Sequence, residues 1–375
     1  MTPRERMRTA LAGEPVDRLP LAPYFWGEEY VWRLVGRPVW QLSLGPPGNW
    51  RELVAAIQAR HDCDWVIPLG GGSGFLQGKT AEQREGRVLI TDPASGQRWE
   101  YRLDGRRLVP LDEAGRPQAE AARTTGELHP PILTIEAADR WLEAAGYTGS
   151  GEPPADWEAG WVPETYGGRY FTAWCVGGGF HQLCYGIGFE SAMVMMAQAP
   201  RVAAYMLERM MAGVPARARR LAELGFDAGF VVDSYASADI VSPDCYRDWI
   251  APIHRAHAAA IKQAGLLAIL YNTGNCLPYL PQLAAQGWDA LSLEERCKGV
   301  EQDLAAIRRA VGPGLCLFAN FDSYLLLAGD RARIAEETAR LQHVGGPLVM
   351  GTGSPVCDAT DPVVVDYWLD LVSQG

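Results

Sequence analysis

The sequence predicts an α/β protein, a (β/α)8 TIM barrel, on three observations. Short apolar runs recur along the chain, helical patterns stand between them, and the runs lack the polar alternation of a half-exposed strand. The runs occupy 19–23, 65–69, 169–175, 228–232, 266–270, 289–293, 315–320 and 348–352. Each is too short for a helix and too apolar for a strand with one wet face. All eight suit a parallel sheet buried on both sides. Strands alternating with helices in this number imply the barrel.

The helices announce themselves by their ends. Pro200 opens one that runs toward Gly225, since a missing N–H costs nothing in a first turn. Ser242-Pro243-Asp244 supplies an N-cap, a first-turn proline and an acid facing the positive helix end; that helix stops at Gly265. Asp330 and Asp361-Pro362 cap two more. Residues 86–112 instead alternate with period two, with turn signals at Pro93-Ala94-Ser95-Gly96 and Asp104-Gly105. They read as β-hairpins inserted after the second barrel strand. The stretch 113–165 reads as a mixed connection with one helix near 135–145, and 1–375 as one domain.

Composition narrows the function classes. The chain is 48% hydrophobic and 21% charged, ordinary for a globular protein, and long enough to need no covalent staples. A net charge of −11 argues against a nucleic-acid partner, which needs clustered Lys and Arg. No apolar run reaches the roughly 18 residues of a membrane span, and the first residues carry no apolar signal region. The expectation is a cytoplasmic protein without a membrane partner. Eight cysteines are scattered with no C-x-x-C pair, so reduced and mostly buried thiols are expected.

Barrel enzymes react at the C-terminal ends of their strands, which directs attention to the residues after each run. In order these are Tyr24 to Glu29, then Gly70-Gly71-Gly72-Ser73, then Val176-Gly177-Gly178-Gly179 with His181. Asp233-Ser234-Tyr235, Tyr271-Asn272-Thr273-Gly274-Asn275, Glu294-Glu295, Asn320-Phe321-Asp322 and Gly351-Thr352-Gly353-Ser354 follow. Glycine lets backbone approach a ligand, aromatics wall a pocket, and a carboxylate in such a pocket is a candidate acid or base. Asp233 is the leading candidate, because no helix follows it at once for it to cap. Tyr235, Tyr271 and Asn320 are its candidate partners in catalysis. Tyr24, Trp26, Trp174, His181, Ser234, Asn272, Asn275, Glu294, Asp322 and Ser354 are the candidate substrate contacts. The near P-loop at 73–80 begins with Ser73 and precedes a strand pattern, so it is set aside. His254 and His257 fall on a helix expected in the outer ring and read as a solvated or packed pair, not a metal site.

Several segments resemble the uroporphyrinogen decarboxylase superfamily, which includes corrinoid- and thiol-linked methyltransferases. MTPRERMRTALAGEPVDRLPL looks like its opening helix and first strand. GGGFHQLCYGIGFESAMVMMAQAPRVAAYML is similar to the segment after its third strand, and VVDSYASADIVSP to its fourth-strand motif. FANFDSYLLLAG resembles a Gly-Asn-hydrophobic-Asp segment, with Ala319 in the glycine position. The resemblance runs over nearly the whole chain. It implies the barrel fold, and it implies two patterns from which this chain departs. The decarboxylase motif Arg-Gln-Ala-Gly-Arg-Tyr, implied to bind substrate carboxylates, is replaced by residues 24–30, YFWGEEY. The methyltransferases' zinc ligands, a His-x-Cys pair and a later Cys, align with Tyr271, Thr273 and Ser354. No metal is therefore expected, the family's zinc site being lost; a displaced site using Cys276 and Cys357 is the alternative.

Three functional readings follow. The first is methyl transfer or demethylation of a small organic molecule, with a corrinoid or folate methyl carrier and a corrinoid protein as partner. The second is metal-free decarboxylation or lyase chemistry using Asp233. The third is a non-catalytic binding barrel. A homodimer is compatible with each.

Overall fold

The structure is a computed structural model that describes residues 1–46, 48–68, 74–102, 107–118, 131–147, 158–297 and 299–375. The chain divides into two compact units. The first comprises Met1–Tyr24, His61–Ile67 and Leu128–Gly375; the second comprises Phe25–Arg60 and Pro68–Glu127.

Thirteen strands are described: β1 (Trp65–Val66), β2 (Thr80–Arg84), β3 (Arg87–Thr91), β4 (Arg98–Arg102), β5 (Arg107–Leu111), β6 (Phe171–Cys175), β7 (Ala228–Asp233), β8 (Leu267–Asn272), β9 (Ala290–Leu293), β10 (Arg296–Cys297), β11 (Val300–Glu301), β12 (Cys316–Phe321) and β13 (Leu348–Thr352). The first unit holds a seven-stranded sheet in the order β1-β6-β7-β8-β9-β12-β13, every pair parallel. Seven of the eight expected runs thus lie in one sheet. The run at 19–23 makes a parallel bridge from Leu21 to Met350 instead. Pro20 and Pro23 bring no N–H and cannot extend a ladder. The segment still bonds on two sides: Ala22 donates to Met350, and the Leu21 carbonyl accepts from Asp64 beside β1.

The sheet is curled, and ring contacts show it. β1 and β12 stand five places apart, about 24 Å in a flat sheet. Yet Trp65 and Phe318 have centroids 5.5 Å apart, and Trp65 and Phe230 6.0 Å. Tyr24 joins them, 5.4 Å from Trp65 and 4.8 Å from Tyr271. These aromatics fill the concave face. Side chains of opposite parity face the helices: a Cβ on Gly229 would lie 2.9 Å from Ile261, and Phe321 packs on Trp368.

Helix ends follow the expected chemistry with one exception. Ser242 accepts from the Cys245 amide, and Asp330 and Asp361 cap Arg331–Gln342 and Pro362–Gln374. Ile135–Ala144 forms as expected. The helix from Pro200 is two helices, Pro200–Ala212 and Val214–Leu224. Pro215 has no N–H for the Met211 carbonyl, so the ladder breaks there. A π-helical turn, Tyr246–Ile250, precedes Ala251–Gln263 for the same reason, because Pro252 cannot donate to residue 248.

The second unit contains the helices Glu28–Val35 and Val39–Leu44 and an antiparallel sheet in the order β2-β3-β4-β5. Trp40, Leu44, Val88, Ile90 and Tyr101 form its core. The sheet begins at Thr80, ahead of the expected 86–112. Four of the five β2 residues are exposed, so that strand shows no alternation to read. The Asp104-Gly105 turn, Leu69 and Gly70 to Ser73 lie outside the described residues. No helix among the described residues is long and apolar enough to cross a membrane.

In the first unit, the segment that begins with the helix Pro3–Leu11 anchors through arginines. Arg4 and Arg8 hold Asp227 at 2.9 and 2.8 Å, and Arg6 and Arg18 hold Asp64. Both aspartates are fully buried, and Asp64 also accepts the Leu21 amide at 2.7 Å. Asp64→Ala would strip Arg18 of its ion pair and leave Arg6 with Asp17 alone, and is expected to cost about 3 kcal/mol, read as a lower midpoint in urea unfolding.

Candidate functional site

Strand parity sorts the candidate residues. Phe230 faces the concave side, so Asp233 on β7 faces the helices. Its carboxylate is satisfied there: Oδ1 accepts the Tyr235 amide at 3.0 Å, and Oδ2 lies 3.1 Å from His254 Nε2. His254 and His257 are buried on the helix Ala251–Gln263, packed and not solvated. The contact from His254 to Asp233 was missed. Its signal was the β7 parity and Gly229, whose missing side chain lets that helix approach closely. Trp174 also faces away from the concave side, packing on Phe226 at 5.9 Å.

Ser234, the next residue, donates its amide to His181 Nδ1 at 3.1 Å. The His181 ring lies 5.5 Å from Tyr235 and stacks near Tyr185; Tyr235 stacks on Phe189 at 5.7 Å. Burial lowers the His181 pKa, with the Asp233 charge opposing.

The β8 end forms a locked loop. Tyr271 is buried and donates its hydroxyl to the Gly353 carbonyl at 2.9 Å. Tyr24 is buried as well and donates to Ser292 Oγ at 2.8 Å. Asn272 donates to the Ala236 carbonyl, and Asn275 accepts the Leu277 amide. Gly274 sits at φ +77°, and a Cβ there would lie 2.4 Å from Ser237 Oγ. Only glycine fits both constraints. Gln302, which sequence reasoning passed over, donates to the Gly274 and Glu294 carbonyls at 2.9 and 2.7 Å.

Two adjacent glutamates extend beyond β9 in different directions. Glu294 turns back to accept the Gly274 amide at 2.7 Å; burial raises its pKa. Glu295 turns forward, where Ser354 Oγ donates to it at 3.1 Å. Burial, helped by the Asp322 charge, pushes the Glu295 carboxyl up to about 7. Asn320 donates to the Glu294 and Gln302 carbonyls. Asp322 caps the helix Ser323–Ala328 through the Tyr324 amide and pairs with Arg296 at 3.3 Å. Glu295, Asn320, Asp322, Arg296, Gln302 and Arg333 line a cavity of about 300 Å³. The structure thus brings Asn320, Asp322 and Ser354 together around Glu295. Asp233, Ser234, Tyr235 and His181 form a second group. Trp26 belongs to the other compact unit, where it is partly buried.

The donor set does not fit zinc. Tyr271 spends its hydroxyl hydrogen on a carbonyl. Cys276 is fully buried with Sγ against the carbonyls of Asn272, Thr273 and Gly274, which suits an S–H donor rather than a thiolate ligand. Cys357 Sγ lies 3.8 Å from Ser323 Oγ, and burial raises its pKa. Among the described residues no three His, Cys, Asp or Glu side chains are grouped to hold an ion.

A curled parallel sheet whose strands alternate with helices defines an α/β protein. Residues 164–375 match the uroporphyrinogen decarboxylase (URO-D) family. Similar curated proteins include the uroporphyrinogen decarboxylase of Nocardia farcinica, 31% identical over 40% of this chain and 43% of that protein. They also include the uroporphyrinogen decarboxylase of Chlorobium phaeobacteroides, 26% identical over 50% and 53%. A methylcobamide:CoM methyltransferase of Methanosarcina barkeri is 27% identical over 39% and 41%. The chain therefore spans about half the length of the curated relatives it matches. A methyltransferase from Methanosarcina mazei has a similar fold, with TM-score 0.67, 18% identity and coverage of 100% of this chain and 99% of that one. The chain belongs to the uroporphyrinogen decarboxylase family.

Two outcomes are expected. Gly274→Ala forces a side chain into Ser237 at positive φ and should lower stability by roughly 1–3 kcal/mol, measured by thermal unfolding. Glu295→Gln removes a carboxyl whose folded pKa of about 7 lies above its ordinary 4.5. Protonated Glu295 favours the folded state, and that contribution is lost as pH rises from 4.5 through 7. The glutamine variant should match the wild type near pH 4 and exceed it by up to roughly 3 kcal/mol at pH 8.

Proposed function

We propose that this protein is an enzyme performing metal-free acid–base chemistry, a decarboxylation or related lyase step, on a small organic acid. The observation that carries this is the Glu295 carboxyl, held near neutrality beside a polar cavity at the strand ends. In decarboxylation the bond between carbon and carboxylate breaks, CO2 leaves, and the electron pair stays on carbon. Glu295 in its protonated form delivers the proton to that carbon and regains one from water. Arg333 at the cavity supplies positive charge for a substrate carboxylate, Arg296 being paired with Asp322. Glu295 takes the role that the sequence suggested for Asp233, whose two oxygens already have partners. This reading also takes the curled sheet as a closed (β/α)8 barrel completed by the Leu21 segment, with β2–β5 as an insertion, in a cytoplasmic protein.

The methyltransferase of Methanosarcina barkeri among the similar proteins favours a second reading, methyl transfer. It would bring a corrinoid or folate carrier and a corrinoid protein partner.

CO2 release from a panel of small carboxylic acids separates the two. The lyase reading expects release that Glu295→Gln lowers about 100-fold or more in kcat, with loss of the pH limb near 7. Equal turnover in that variant defeats the role of Glu295. Methyl transfer from methylcobalamin to a thiol, without CO2 release from any acid, establishes the second reading instead.

A further inference from the structure

Behind Asp233 lies a continuous chain of buried polar side chains that the acid–base reading does not use. Trp288 Nε1 donates to Gln286 Oε1 at 2.9 Å, and Gln286 Nε2 donates to the Tyr246 hydroxyl oxygen at 2.9 Å. That oxygen lies 3.3 Å from His254 Nδ1, and His254 Nε2 lies 3.1 Å from Asp233 Oδ2. All five residues are at most 5% exposed. The donor directions can be assigned by elimination. An indole N–H and an amide NH2 can only donate, and a carboxylate can only accept. Asp233 can only accept, so His254 Nε2 carries a hydrogen; a neutral His254 then accepts at Nδ1, and the Tyr246 hydroxyl, which accepts from Gln286, donates to it. Every step then points the same way and polarises the next.

The chain ends at a backbone turn. Asp233 Oδ1 accepts the Tyr235 amide and so fixes the peptides on either side of Ser234. The Ser234 amide, held by that turn, donates to His181 Nδ1. An acceptor Nδ1 places the ring hydrogen of neutral His181 on Nε2. The helix Ala251–Gln263 supports both ends of this arrangement. It carries His254, and its Ile253 and His257 pack beneath Gly179, whose Cβ would lie 2.7 Å and 3.0 Å from them. Gly179 has φ +82° and starts the helix Phe180–Ile187 that bears His181. The π-helical turn Tyr246–Ile250 lies within the same helical stretch and brings Tyr246 to His254.

We infer that His254 is a positioning residue: through Asp233 and the Ser234 amide it holds His181 in the Nε2–H form, as an oriented donor beyond the ends of β6 and β7. Functionally this rests on the reading of the strand ends as the reaction site, where a substrate oxygen would accept that hydrogen. It is independent of Glu295.

The test reads the ring nitrogens directly and needs no substrate, so it stands or falls apart from the acid–base proposal. The chain has six histidines, few enough to resolve by nitrogen-15 NMR above pH 7. His181→Gln identifies the His181 signals by their loss. The wild type should show His181 as a single Nε2–H tautomer. His254→Leu should give a mixed tautomer, and His254→Gln, which retains a donor for Asp233, should restore the single form. Should His254→Leu fail to fold, Tyr246→Phe decides, since it removes the two hydrogen bonds that run through the Tyr246 hydroxyl while leaving His254 on Asp233, and should produce a smaller shift toward the mixture. A mixed tautomer in the wild type overturns the inference. So does an unchanged His181 in folded His254→Leu, or in Tyr246→Phe where that variant decides.

Discussion

The curl of the parallel sheet is the constraint on which the remaining structure depends. Once Trp65, Phe230, Phe318, Tyr24 and Tyr271 pack against one another across non-neighbouring strands, each strand has an inner and an outer parity. Burying large rings in one cluster removes much apolar surface from water. It also leaves little freedom for a strand to slip, because a shift of one residue would exchange every inner side chain for an outer one. The site inherits its geometry from that choice. Asp233 is directed to the helices and Tyr271 to the concave face by the same two-residue period.

Polar satisfaction is the second theme. Asp64, Asp227 and Asp233 are all buried, and each meets its cost differently. The first two sit toward the N-terminal ends of β1 and β7 and bind arginines from the opening segment. The third sits at the C-terminal end of β7 and binds a histidine and a backbone amide. Glu295 differs from them. It has a serine donor and, among the described residues, no cation paired with it, so burial favours its protonated form. The contrast between a satisfied carboxylate and a perturbed one is why the proposed acid–base role falls on Glu295 and not on Asp233.

The sequence made much of this legible. Seven strands of the parallel sheet, the Ser242, Asp330 and Asp361 caps and the family membership could be read from apolar runs, cap residues and motifs. The break at Gly213-Val214-Pro215 was readable too, had Pro215 been weighed against the helical pattern around it. β2 was not readable, because an exposed strand carries no hydrophobic period. The gathering of Asn320, Asp322 and Ser354 around Glu295 was legible only as a list of strand-end residues, without their distances.

By itself the sequence determined the class of fold and the residue types that stand at each strand end, Tyr271, Thr273 and Ser354 among them. These are properties of residue type and order. Only the tertiary structure decided which carboxylate is perturbed and that His254 reaches Asp233. A pKa depends on burial and on neighbours distant in sequence, and a contact across 21 positions between a strand and a helix leaves no local pattern. The Gly-Asn turn after β8 shows both sides. Its glycine was visible as a letter, while the reason for it, Ser237 Oγ where a Cβ would stand, exists only in the folded chain.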